Sequence, residues 1–182
     1  MKYFITIIIL LTSSFSVSAQ SSETYSSEKL ASLYFDAARN GRVDILQGLI
    51  KAGAPIEARN KKGYTAFILA AYNNQAKTVT YLANKGADIC ASDHKGNTAQ
   101  MGVAFAGHDE MANKLSGYKC DIDAVNNNGQ TALMMAALFG RADQVQLLIS
   151  KGADPRRKDS LGNSAVSLAE QQGNRQMVAL LH

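Results

Sequence analysis

Catalytic and metal sites draw mostly on histidine, cysteine and carboxylate side chains brought into register, and this chain offers few such registers. Its three histidines are His94, His108 and His182. None stands beside Cys, Asp or Glu at metal-ligand spacing, and His-Glu-x-x-His is absent. There is no Gly-x-Ser-x-Gly turn, phosphate-cradling glycine loop or dinucleotide fingerprint. Gly162-Asn163-Ser164 resembles part of a nucleophile turn only when taken alone. Asp88, Asp121 and Asp154 are spaced evenly by 33 residues. That places them at equivalent turns, where carboxylate oxygens take local backbone N–H groups, and not facing each other across a substrate. The sequence therefore predicts no catalytic residue, no metal site and no cofactor.

The two cysteines, Cys90 and Cys120, pose a separate question. An even number in an oxidising compartment permits a disulfide, which needs Cα atoms within about 7 Å of each other. Alternatively, Cys120 serves only as a small core residue. Either role is structural.

The compartment is read from the first residues. Lys2 precedes the apolar run Phe4-Ile5-Thr6-Ile7-Ile8-Ile9-Leu10-Leu11, and Val17-Ser18-Ala19 supplies a small-residue cleavage pattern. This reads as a secretory signal peptide over residues 1–19, because a membrane span needs roughly 17–25 predominantly apolar residues. The short basic start and Ile-rich run point to bacterial export, with the periplasm as destination and the medium as the alternative. A net charge of +4 with no basic block gives no reason to expect a nucleic-acid partner. No later segment is apolar enough to expect a membrane contact.

What must position any functional side chain is a repeat. Gly63, Gly96, Gly129 and Gly162 recur every 33 residues, as do Thr65, Thr98, Thr131 and Ser164. Leu49, Leu82, Leu115, Leu148 and Leu181 keep the same step, and Gly53-Ala54, Gly86-Ala87-Asp88 and Gly152-Ala153-Asp154 fall in register. Lys119-Cys120-Asp121 fills the third of these slots. Each column has a physical role. Glycine suits a turn of positive φ, Thr or Ser caps the following helix, and the leucines fill a core. Gly41, Gly107, Gly140 and Gly173 stop the first helix of each unit, with Asn74 in the same slot of the second.

A period of 33 with Gly-x-Thr, an Ala-Ala helix and a Gly-Ala-Asp turn resembles the ankyrin repeat, and the likeness runs from about residue 28 to the C-terminus. The closest unit begins Asn128-Gly129-Gln130-Thr131-Ala132-Leu133-Met134. The resemblance implies an all-α repeat solenoid of stacked helix-turn-helix units with β-hairpin arms. A Ser-rich leader (20–27) precedes about five repeats (28–60, 61–93, 94–126, 127–159 and 160–182), the last truncated. The sequence departs from the family at the proline after the capping Thr, which is Ala in all four units. It departs again at the histidine, replaced by Ile68, Met101, Met134 and Ser167. Gln100, Gly102 and Lys119 make the third repeat the weakest match.

The family binds other proteins through hairpin tips and the concave face of its first helices. Carried onto this chain, that gives Tyr64, Leu69, Tyr72, Phe105, Met135, Leu138 and Phe139 as candidate contacts. The basic pair Lys61-Lys62 lies on the first well-formed arm. Tyr72, Phe105 and Leu138 share one column and predict an apolar stripe between Arg39 and Gln171. An apolar centre with a polar rim is interface anatomy. The expected function is a monomeric protein-protein interaction module acting as an inhibitor, immunity or accessory protein. Its expected partner is a periplasmic enzyme such as a cell-wall hydrolase. The alternative is a secreted effector that binds a host protein.

Overall fold

The computed structural model describes residues 28–182; the expected signal peptide and the Ser-rich leader lie outside the described residues. The described residues form ten helices in five antiparallel pairs. They are α1 (28–39) with α2 (Val43–Lys51), α3 (Ala66–Tyr72) with α4 (Ala76–Asn84), and α5 (Ala99–Ala106) with α6 (Asp109–Ser116). Then follow α7 (Ala132–Leu138) with α8 (Ala142–Ser150), and α9 (Ala165–Gln171) with α10 (Arg175–Leu180). The result is an all-α repeat solenoid. First helices stack in the order α3, α5, α7, α9, and second helices form a parallel layer behind them. The final helix is shortened to 6 residues where α2, α4 and α8 have 9.

Isolated helices need roughly 12–15 residues to be even marginal in water, so these helices exist only because they stack. The stacking surfaces follow the sequence columns. Ala70-Ala71 and Ala136-Ala137 are fully buried and allow close helix approach, while Leu82 and Leu148 are sealed behind them. Each such leucine contributes about 2 kcal/mol of apolar burial. At the first unit Leu49 is only partly covered. Tyr34 anchors that end: its hydroxyl donates to the Ile56 carbonyl, and burial, with Glu57 and Tyr81 nearby, pushes its pKa up to about 12.

The helix starts are built as their residues dictate. Thr65, Thr98, Thr131 and Ser164 each sit in extended backbone and accept from the N–H three residues on. At Ser164 the Ser167 hydroxyl also accepts from the Ser164 N–H, closing a reciprocal box.

The arms between units are tight turns. Their one strand-like feature among the described residues is the isolated Ser92–Thr98 bridge, so they are hairpins without ladders. A second column, Asn60, Asp93, Asn126 and Asp159, makes them. Each side chain accepts from the N–H groups two and four residues later. Neighbouring arms then join through His94 N–H to Lys62, Asn127 N–H to Lys95 and Ser160 N–H to Asn128. Gly63 is needed for more than its φ of 81°: a Cβ there would lie 2.5 Å from the His94 backbone nitrogen.

The third unit differs. Ala54, Ala87 and Ala153 N–H groups each bond back to Leu49, Leu82 and Leu148, closing the turn after the second helix. Lys119 replaces the glycine of that turn, the bond from Cys120 to Leu115 is not made, and Cys120 N–H goes to Tyr118 instead. A disulfide joins Cys120 to Cys90 on the preceding arm, with Cα atoms 5.5 Å apart. Cys90 occupies the column of Glu57 and Asp123. Those carboxylates bind the Asp88 and Asp154 N–H groups of the following unit. A covalent bond thus stands where other units use a hydrogen bond. Beside it lies a cavity of about 360 Å³ bordered by Leu115, Tyr118, Cys120 and Ile122.

Candidate functional site

The first helices α3, α5 and α7 contain no charged residue, and their solvent-facing ends carry aromatic rings. Tyr72, Phe105 and Phe139 are 41%, 44% and 39% exposed. Tyr72 and Phe105 stack at a centroid distance of 6.2 Å with planes 19° apart. Phe105 meets Phe139 edge-to-face at 4.8 Å. The three form a ladder across three successive units, in the offset and edge geometries aromatic pairs prefer.

Gly102 makes the first rung possible. Its column holds Leu69, Met135 and Leu168 in the second, fourth and fifth units, all large apolar side chains, and Asp36 in the first. The missing side chain on α5 leaves a shelf onto which the Tyr72 ring leans toward Phe105. The lower rung is held differently. Arg141, at the start of α8, donates to the Phe105 carbonyl at 3.1 Å, placing a cation at the negative end of α5.

Several expected contacts lie elsewhere. Leu69 is buried at 5% exposure among Phe35, Ile68 and other core residues, so it supports the face from beneath and is open only at the floor of the groove between α1 and α3. Met135 and Leu138 are half-buried against the second core cluster. The exposed stripe therefore runs Tyr72–Phe105–Phe139 and leaves the Leu138 column at the fourth unit. There α7 ends, and Phe139, as its C-terminal cap residue, swings outward. Tyr64 is half-buried on the first arm; burial, followed by the Asp93 carboxylate and Tyr72, raises its phenol pKa. Cys90 and Cys120 are bridged, which resolves the two readings in favour of the disulfide.

Sequence reasoning missed the exposed apolar residues at the flanks. Leu30 and Leu33 lie on α1, and Leu161 at the last arm is 87% exposed. Leu161 was detectable: its column is otherwise Lys62, Lys95 and Asn128. Between α1 and α3 runs a groove of about 820 Å³, with Phe35, Ile68 and Leu69 along its floor and Lys62, Tyr64 and Tyr72 along one side. Among the described residues, no helix is long and apolar enough to cross a membrane.

Stacked, capped helix pairs presenting an uncharged aromatic face define a solenoid binding module. Residues 34–116 and 100–182 each match the family model for ankyrin repeats in three copies, and the chain belongs to the ankyrin-repeat family. Proteins of this family bind other proteins and are generally not enzymes. No curated protein matches the chain.

Proposed function

We propose that this protein is exported to the periplasm. There it binds a single partner protein, a periplasmic enzyme such as a cell-wall hydrolase, and holds it inhibited or protected. The observation that carries the binding part is the ladder Tyr72–Phe105–Phe139, three exposed aromatics in mutual contact on an uncharged face. Exposed aromatic clusters of this kind are the usual anchors of interfaces. A small binding module acts on an enzyme chiefly by covering part of its surface, which favours inhibition or protection. The disulfide supports the compartment, since such bonds persist in oxidising surroundings.

The test is affinity capture from a periplasmic extract with the parent protein and a Tyr72→Ala/Phe105→Ala/Phe139→Ala variant of unchanged helical circular dichroism. One partner retained by the parent, lost by the variant and altered in activity when bound is the expected result. A partner held equally by both proteins moves the site away from the ladder. Accumulation of the protein in the culture medium removes the periplasmic role.

A further inference from the structure

The groove beside Tyr72 is not electrically neutral. The Asx-turn column that shapes the arms uses carboxylates at Asp93 and Asp159, but the first arm does the same work with the neutral Asn60. That arm's one acid, Glu57, is turned onto the Asp88 N–H of the next unit, while the tip carries Arg59, Lys61 and Lys62 with no acid among them. Arg59 is spent on the Gly63 and Ser92 carbonyls as a strut between arms. Lys61 and Lys62 are exposed and form no ion pair among the described residues. Across the groove, Arg39 is already paired with Asp36. Glu28 is the one other acid along its edge. The second and third helix-stack tiers add only the uncharged ladder. Basic charge at one end thus runs into aromatic surface at the other.

We propose that the partner presents an extended acidic segment to this groove. Its carboxylates would lie along Lys61 and Lys62, with a large apolar side chain seated on Tyr72 and Phe105. The inference rests on the concave-face reading above and specifies the chemistry of what binds there. Charges of this kind steer encounter and select partners, while the buried apolar anchor supplies most of the affinity. A basic or neutral segment satisfies the ladder but leaves both lysines facing no counter-charge.

The full chain is panned against a phage-displayed library of random dodecapeptides, and the selected peptides are synthesised. Their affinities are then measured against the parent, a Lys61→Glu/Lys62→Glu variant and the triple aromatic variant, each checked by circular dichroism. Expected are peptides with Asp or Glu within a few residues of Phe, Tyr or Leu. Their affinity falls about tenfold on charge reversal and weakens as salt rises from about 0.05 M to about 0.3 M. Peptides lost on the aromatic variant, yet without acidic bias and indifferent to charge reversal, overturn this inference and leave the concave-face reading standing. Peptides bound equally by all three proteins overturn both. Recovery of no binder overturns the extended-segment form, and self-association abolished by Lys61→Glu assigns the groove to a second copy instead.

Discussion

A Cβ placed on Gly102 would stand 3.3 Å from Cδ2 of Tyr72. The aromatic ladder thus depends on an absent side chain in the neighbouring helix as much as on its own rings. Glycine within a helix is unfavourable relative to alanine by roughly 0.5–1 kcal/mol. This position gives up local stability and gains a seat for the ring.

Gly102→Ala separates the two effects. Tyr72 is exposed and can yield a few tenths of an ångström, so thermal stability is expected to rise by up to about 1 kcal/mol. Gly102→Leu, matching Leu69 and Leu168, displaces the ring and is expected to weaken partner binding without unfolding the stack. Calorimetric unfolding beside binding to the captured partner reads both. Equal affinity for parent and Gly102→Leu would show that the stacked arrangement has no part in recognition.

Reduction of the disulfide tests the third unit. The bridge spans a sequence separation of 30. Chain-entropy reasoning for a loop of that size gives about 3–4 kcal/mol. Urea unfolding with and without dithiothreitol should show a loss of that order, and a Cys90→Ser/Cys120→Ser variant should be insensitive to the reductant. Identical midpoints for oxidised and reduced protein would mean that the altered turn is held by packing alone.

Acid should loosen the last arm. Burial raises the Asp159 pKa, but bonds from Asn163 and from the Leu161 N–H outweigh it, leaving the carboxyl below its ordinary value. A lowered folded value means the contribution is present at neutral pH. It is lost as pH falls from about 4, the unfolded value, down through the folded one. Protection of the Leu161 and Asn163 amides, taken relative to intrinsic exchange at each pH, should fall over that window in the parent. Asp159→Asn keeps the acceptor, as Asn60 and Asn126 do, and should flatten the response. Unchanged protection in the parent down to about pH 2 would rule the carboxylate out as the arm's fastening.

Gln144 offers a stabilising change. Its amide nitrogen donates to Asp109 at 2.8 Å, while its carbonyl oxygen is buried with no hydrogen-bond partner. The same column holds Met111 and Met177, both almost wholly buried. Gln144→Met should therefore raise stability by about 1 kcal/mol, whereas Asp109→Ala, which strands the amide, should lower it by about 1–3 kcal/mol. Urea midpoints decide the matter; a destabilised Gln144→Met would assign real value to the link between α6 and α8.

The columns were legible because each answers a local need. Thr131 caps its own helix, Leu148 sits on a helix whose inward side is fixed by its period, and Asn74 takes a φ of 58° where the other units have glycine. The face was harder. Register fixes where each Cβ starts but not which of two adjacent apolar side chains a neighbour claims. Leu69 went inward, and Phe139 took the place expected of Leu138. The disulfide stayed open until the arms were placed, because both cysteines replace residues of different roles in their columns.

The Cys90–Cys120 bridge also sets how the molecule answers tension. A solenoid pulled from its ends comes apart unit by unit, each event lengthening the chain by one repeat. The bridge withholds the 30-residue step between its cysteines from that extension, about 100 Å of contour at full stretch. Under load the second and third units therefore remain tied together after the others have paid out their length.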